Sequence, residues 1–261
     1  MARGVSTVLD VAICLLLIGV AVSTLAVAVP DEGWRSTVDG DPEAMSVGTV
    51  TATVPITNGH EAHGTLAQHL ARSSILMAAL DGERLLGSPY PGATRRAVEQ
   101  RTSDRVRVTA RWRPYPDAPL SGRFTVGPTP PSTADVAATR FTVDSGMNVP
   151  GDADSNESLA AAVAEAYIDW LFPPERTRIR LVDRRTAPET ANRYRSIAGA
   201  LGVDIAEPLA DALPRQANER LAAELADQLE TGLQSESDTS GPVPNGEGTG
   251  RVEIVVRRWE P

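Results

Sequence analysis

All three histidines of the chain lie within a ten-residue window, at His60, His63 and His69. Imidazoles this close together raise the question of a zinc site. The helical zinc motif places two histidines four residues apart on one face, whereas His60 and His63 are three apart and Gly64 follows them. We therefore predict no metal centre and interpret the three as solvated loop and helix-start histidines, with a weak surface metal site as the alternative.

A cluster of arginines is the second group that could do chemistry. Five lie within ten residues, at Arg176, Arg178, Arg180, Arg184 and Arg185. Planar guanidinium groups bind carboxylates and phosphates through paired hydrogen bonds, so the cluster could hold an anion or an acidic partner. Because the chain also carries 34 carboxylates, we favour ion pairs with neighbouring acids.

The remaining polar residues do not form a catalytic pattern. The scattered serines show neither a nucleophile elbow nor a partnering histidine, and the chain has no phosphate-binding glycine loop. We therefore predict a non-enzymatic protein with no cofactor. An exported enzyme would need a cleft with convergent polar groups, which a sequence does not reveal.

One acceptor sequence for N-glycosylation is present, Asn156-Glu157-Ser158. A glycan on Asn156 is compatible with a loop outside the cytoplasm. The competing use is structural, because Ser155 or Asn156 could cap the helix that follows.

The amino-acid composition limits the kinds of partner that the protein can bind and indicates the kind of organism it comes from. All 25 basic residues are arginine and the net charge is -9, which disfavours nucleic acid because phosphate binding needs a basic surface. A lysine-free, acidic, aromatic-poor chain is typical of haloarchaea, where salt screens charge repulsion; an actinobacterial secreted protein is the alternative. Cys14 is the single cysteine and lies in an apolar N-terminal run, so no internal disulfide can form.

The N-terminal run has the length of a membrane span. Residues 11–29 carry no charge, and extending back to Val5 adds only Asp10. A helix rising about 1.5 Å per residue crosses a roughly 30 Å hydrocarbon core with about 20 residues. Arg3 precedes the run and several acids follow it, which predicts a cytoplasmic N-terminus and an outer domain. A signal peptide cleaved after Ala26 or Ala28, or a buried helix, are the alternatives.

The residues just before this apolar run are similar to the N-terminal segment of a known group of proteins. The stretch from Arg3 through Gly4, Val5 and Ser6 to Asp10 resembles the start of archaeal type IV pilins and pilin-like proteins. The resemblance implies cleavage between Gly4 and Val5 by a prepilin peptidase, with the helix kept as anchor and assembly spine. Residues 5–28 also resemble uncharacterised haloarchaeal membrane-anchored, pilin-like proteins associated with pilus or secretion loci. Asp10 is the possible helix acid of such an assembly, or a carboxylate that reaches water near the cytoplasmic end.

The predicted organisation follows from these segments. We expect a short cytoplasmic leader at 1–4, a transmembrane helix at 5–29, a juxtamembrane linker at 30–46, an α+β extracytoplasmic domain at 47–233, a flexible acidic loop at 234–250 and a strand at 251–261 that completes the domain. The fold class is α+β, with a mostly antiparallel sheet and several amphipathic helices.

Periodicity and turn residues give the elements of the domain. Strands are predicted at 47–56, 105–113, 121–126, 136–143, 178–182 and 251–261, and helices at 66–80, 92–100, 159–171, 187–201 and 214–233. Thr65 with Gln68, and Thr186 with Glu189, fit capping boxes. The strands at 105 and 251 share the ending Arg-Trp-x-Pro, so we predict that they lie side by side, with coincidence as the alternative.

Two functions fit this organisation. The first is a single-pass cell-membrane protein of the envelope, a minor pilin or pseudopilin-like component of a type IV pilus or secretion apparatus, with membrane lipid and other subunits as partners. The alternative is an anchored surface binding module for a ligand or protein. Val5 as the first residue of the mature protein would favour the first.

Overall fold

The computed structural model describes residues 41–56, 60–149, 155–240 and 250–260. In chain order the elements are α1 (Pro42–Thr49), β1 (Thr51–Pro55), β2 (Glu61–Thr65), α2 (Leu66–Leu76), β3 (Ala79–Leu80), β4 (Glu83–Arg84), α3 (Tyr90–Glu99), β5 (Val106–Trp112), β6 (Leu120–Val126), β7 (Val136–Asp144), α4 (Asn156–Leu171), α5 (Pro174–Val182), α6 (Ala187–Leu201), α7 (Ala206–Ala210), α8 (Pro214–Ser240) and β8 (Arg251–Trp259). The fold is α+β with antiparallel sheets, as predicted.

Strand β8 lies inside the larger sheet, whose strand order is β4-β3-β6-β5-β8-β7. It pairs antiparallel with β5, placing Trp112 opposite Val252 and Ala110 opposite Ile254, and with β7 on its other side. Runs of β-branched residues suit such a doubly paired, buried strand. The predicted pairing of the two strands that share an Arg-Trp-x-Pro ending is therefore confirmed.

Helix α2 lies directly on the sheet. The predicted capping box starts it, because Gln68 N donates to Thr65 Oγ1 at 3.2 Å and Thr65 N donates to Gln68 Oε1 at 2.9 Å. Where α2 crosses β6, a Cβ on Gly122 would lie 2.1 Å from the carbonyl oxygen of Ser74. Only glycine permits this approach. The helix ends at Leu76, not at 80 as predicted, because Ala79–Leu80 forms β3 against β6.

The longest helix, α8, packs along α4. Its leucines at 221, 225, 229 and 233 are fully buried, which confirms an intramolecular role for the leucine-lined face. Trp112 of β5 stacks on Tyr167 of α4 with 5.4 Å between ring centroids, joining this helix pair to the sheet. The helix ends at Ser240. Residues 234–240, which were predicted as the start of a flexible loop, are therefore helical. Residues 234–240 are polar but contain no proline or glycine, and the first helix breakers are Gly241 and Pro242.

Two predicted strand regions contain helices instead. Residues 42–49, predicted as the end of a linker and the start of a strand, form α1, which Asp41 caps by accepting from Glu43 N at 3.0 Å. The strand predicted at 178–182 is helix α5, whose first residue is Pro174. Proline fits the first turn of a helix because its missing N–H has no partner there anyway.

Helix α6 was predicted correctly, but its predicted capping box was wrong. The Thr186 side chain makes no capping hydrogen bond to α6. Its hydroxyl donates instead to the carbonyl oxygen of Arg180 at 2.8 Å, which ties the loop before α6 to α5.

The predicted membrane span at residues 5–29 lies outside the described residues. Among the helices that the structure does describe, none combines the length and the apolar character that crossing a bilayer requires.

Candidate functional site: an arginine-lined cavity

A cavity of about 530 Å³ opens among helices α2 to α6. Its size is within the range that small-molecule sites occupy. Four arginines from three helices line it: Arg72 on α2, Arg176 and Arg180 on α5, and Arg193 on α6. The chain has a net charge of -9, whereas these arginines make the cavity locally positive.

The arginines are positioned by helix geometry and by aromatic rings. Arg176 and Arg180 are four residues apart, so they share one face of α5. The Cζ of Arg72 lies 5.3 Å from the ring centroid of Tyr90 and 5.7 Å from that of Trp170. A guanidinium over aromatic faces is held by cation–π attraction and keeps its N–H groups free to bind at its edge.

Arg193 rests on a second aromatic group. Its Cζ lies 5.3 Å from the ring centroid of Phe172, and the Phe172 ring stacks on Tyr194 with 3.8 Å between centroids. Because Tyr194 and Phe172 are buried, this pair is a fixed support. It limits the motion of the Arg193 guanidinium, which lowers the entropy lost when a ligand binds.

The charges of the cavity act on one another. Burial lowers the pKa of Arg193, the charge of Arg180 lowers it further, Glu189 opposes these effects, and Arg72 adds to them. Arginine nevertheless stays protonated in proteins. The lowered pKa therefore means that the positive charge is held at a cost, which an anion in the cavity would reduce.

The ion pairs expected of the arginine cluster stay a prediction. In the described ranges the ion pairs are Arg113 with Asp117, Arg140 with Glu253, Arg215 with Glu175, and Arg220 with Glu207. None of these four involves a cluster arginine or an arginine of the cavity, although the Glu189 carboxylate acts electrostatically on Arg193. Glu189 is the sole carboxylate among the described residues that line the cavity, so those residues provide no carboxylate pair for acid–base chemistry.

A second cavity of about 310 Å³ shares part of this wall. Arg176, Arg180 and Arg193 line both cavities, and the second adds His60 and Asp183. The three guanidinium groups thus face two neighbouring spaces. A ligand larger than a single anionic group could contact them from either side.

His69 lies in the core behind the cavity. The prediction that it is solvated was wrong. It is 2 % exposed, and its Nε2 lies 3.0 Å from the Ala52 carbonyl oxygen, to which it must donate. Its Nδ1 can then accept from the Tyr90 hydroxyl, 2.5 Å away. Burial lowers the pKa of His69 and raises that of Tyr90 to about 12. The neutral pair fixes Tyr90, on which Arg72 lies.

The other two histidines agree with the prediction. His60 and His63 are exposed, and His63 Nδ1 lies 2.9 Å from the Thr53 hydroxyl. Across the residues that the structure covers, no three histidine, cysteine, aspartate or glutamate side chains are placed to hold a metal ion.

Asn218 joins three helices that form or back the cavity. It accepts from the Tyr194 hydroxyl at 2.6 Å and donates to Asp169 Oδ1 at 2.7 Å and to the Phe172 carbonyl oxygen at 2.9 Å. Asn218 is 4 % exposed. Buried amides with full hydrogen bonding fix the arrangement of their neighbours.

Among the other predicted site residues, Asn156 is the first residue of α4. Ser155 caps that helix by accepting from Ser158 N at 3.1 Å, which confirms the structural use of this segment. The possible processing site Gly4 and Val5 and the possible helix acid Asp10 lie outside the described residues.

The sequence analysis singled out two of the four arginines that line this cavity. Arg176 and Arg180 belong to the cluster singled out above, whereas Arg72 and Arg193 are distant in sequence and were missed. The spacing of four between Arg176 and Arg180 was available as a signal. This signal was not recognised because residues 178–182 were predicted as a strand, and residues of a strand do not share a helix face.

Comparison with known proteins gives a family but no function. A family of unknown function (DUF7284) matches residues 9–259. No curated protein and no solved structure matches.

Proposed function

Since the chain belongs to the DUF7284 family, for which no function is known, we propose from its own residues that it is a membrane-anchored module outside the cytoplasm that binds an anionic ligand. One observation carries the proposal: Arg72, Arg176, Arg180 and Arg193 converge on a single cavity whose described lining contains one carboxylate, Glu189, so positive charge is in excess there.

Size and polarity favour an organic anion over a simple ion. A cavity of about 530 Å³ is of the size that encloses a small organic molecule. Its wall combines apolar groups such as Leu76 and Leu86 with hydroxyl and amide groups such as Thr177 and Asn192. Phosphate and carboxylate groups are the anions that guanidinium pairs bind best.

The membrane anchor is supported by the sequence. Residues 11–29 are uncharged, and the charge of the flanks favours a cytoplasmic position for the short end. Membrane lipid is then the first partner of the chain, and the binding domain is held at the cell surface.

Ligand binding is testable with the full chain in neutral-lipid nanodiscs. Trp170 lines the cavity, so its fluorescence reports occupancy. We expect citrate and inorganic phosphate to change the emission saturably and a neutral sugar to leave it unchanged. Trp170→Phe should remove the signal while calorimetry still detects binding.

Two variants decide whether the cavity is the site. A charge-assisted hydrogen bond contributes about 1.5–3 kcal/mol, so Arg176→Gln and Arg193→Gln should each weaken binding about 10- to 100-fold. Arg123→Gln is the matched control, because Arg123 is exposed on β6, away from the cavity. The proposal fails if no anion binds, or if the cavity variants bind as the control does.

A pilin-like role is the second candidate, because Gly4-Val5-Ser6 precedes the apolar run. On this hypothesis a prepilin peptidase removes the leader, and the helix joins other pilin-like or secretion-system subunits. N-terminal sequencing of the mature protein is the test. Val5 as the first residue supports it, and an intact Met1 or Ala2 contradicts it.

A further inference from the structure

Helix α5 presents apolar side chains to solvent on one face. Ile179 is 72 % exposed and Val182 is 69 % exposed, and the next large hydrophobic residue among those described, Met45, reaches 53 %. Residues three apart on a helix are neighbours on its surface. The opposite side of α5 is anchored through Thr177, which is buried.

The apolar pair is surrounded by positive charge. Arg178 is exposed on α5 beside Ile179, and Arg184 and Arg185 are exposed just after the helix. None of these three lines the cavities described above. We name Arg178, Ile179, Val182, Arg184 and Arg185 the α5 ridge. None of the four ion pairs named above involves a ridge arginine.

Three acids lie near the α5 ridge: Glu175, Asp183 and Glu189, of which the last two line the second cavity together with Ile179. Glu175, on the same helix, forms an ion pair with Arg215 at 2.6 Å. The Asp183 carboxylate accepts from Arg185 N at 3.0 Å. The three ridge arginines outnumber Asp183 and Glu189, so this surface is net positive in a chain that is otherwise strongly acidic.

We propose that the α5 ridge docks on the anionic surface of a lipid bilayer, with Ile179 and Val182 entering the interface and the three arginines contacting lipid phosphates. Arginines around exposed apolar side chains are the composition of interfacial membrane-binding segments. Each basic residue near an anionic surface contributes favourably, over about one Debye length.

The size of the ridge favours lipid over a protein partner. A stable protein interface buries about 800 Å² on each side, which two apolar side chains on a nine-residue helix do not supply. A bilayer interface needs no matching shape and takes up isolated apolar side chains. Ile179 also lines the second cavity, but the three ridge arginines line neither cavity, so their removal tests docking without changing the arginines that would bind the ligand.

A fluorescent label on the ridge tests the docking. In the full chain with Cys14→Ser, Val182→Cys is labelled with a polarity-sensitive dye, and the protein is placed in nanodiscs at about 0.1 M salt. We expect a blue shift in discs with anionic lipid and none in neutral discs. The same dye at Val136→Cys, an exposed position on the edge strand β7, is the control and should not shift.

Charge variants test the cause. Removing three basic residues, as in Arg178→Gln/Arg184→Gln/Arg185→Gln, should lower the docked-to-free ratio on the order of a hundredfold. The matched control Arg96→Gln/Arg111→Gln/Arg123→Gln removes three exposed arginines elsewhere and should keep the shift. Salt near 1 M, where the Debye length is about 3 Å, should weaken docking.

Several outcomes would overturn the inference. These are no shift in anionic discs, an equal shift in neutral discs, an unchanged shift in the ridge variant, or a shift that depends on the number of protein copies per disc, which would indicate self-association. The proposed function fails separately, through loss of the cavity signal or through failure of the chain to remain with the discs.

Discussion

Replacing Asn218 with leucine should loosen the helices around the cavity. The two side chains have similar size, so Asn218→Leu removes hydrogen bonds without opening a large void. The Tyr194 hydroxyl and the Phe172 carbonyl would each lose a partner, as would Asp169. The first two contacts join neutral groups and the third joins a carboxylate.

The magnitude follows from these three contacts. A neutral hydrogen bond contributes about 1 kcal/mol and one to a charged group about 2 kcal/mol, giving about 4 kcal/mol. Burying leucine in place of an amide returns about 1 kcal/mol. We therefore expect the free energy of unfolding to fall by about 3 kcal/mol, and the Tm by roughly 6–12 °C for a domain of this size.

Chemical denaturation of the full chain in detergent, followed by circular dichroism, measures this loss. Gln216→Leu is the matched control, because Gln216 is an exposed residue of α8 and surface changes usually stay within about 0.5 kcal/mol. A loss below about 1 kcal/mol for Asn218→Leu, or an equal loss in both variants, would refute the view that Asn218 joins these helices.

Other perturbations have expected outcomes that follow from the structure. Urea unfolding should show stability falling below pH 6.5, because unfolded His69 takes up a proton while the buried ring, with its lowered pKa, does not. Stability should also fall above pH 10, where the unfolded state ionises Tyr90 but the folded state, with a pKa of about 12, does not. Gly122→Ala should cost about 1–3 kcal/mol or more through its clash with helix backbone. Gly199→Ala, which has open space, should instead stabilise by roughly 0.5–1 kcal/mol. Asn156→Gln should lower the mass of the protein purified from its own host if a glycan is attached, and an unchanged mass would show that none is.

Local signals predicted much of the fold. The Thr65 capping box, the strands around Val108 and Ile254, and the leucines of α8 each involve residues that are close in sequence or strongly periodic. Helix α5 was missed because Arg178 to Val182 alternates charged and apolar residues as a strand does. Ile179 and Val182 are exposed, so the spacing of the apolar residues carried little information about burial.

The cavity could be predicted only in part. Arg176 and Arg180 stood out because they are clustered in sequence, but Arg72 and Arg193 join them through the packing of α2 and α6. His69 was predicted as solvated because it sits in a polar stretch near a helix start. Its burial depends on Ala52 and Tyr90, which are 17 and 21 residues away. Contacts of this kind arise from tertiary packing, which residue spacing does not encode.

The position of β8 has a consequence for how the chain matures. This strand separates β5 from β7, although both precede it by more than a hundred residues. Until residues 251–259 are available, β5 is paired only with β6, and β7 lacks the strand it pairs with. Pairing over such separations is slow because a long loop must close first. If the domain crosses a membrane during synthesis, its sheet stays open until nearly all of it has emerged. Such a delay would keep the chain unfolded enough to pass through a translocation channel. It would also leave unpaired strand edges, which can aggregate, until β8 is in place.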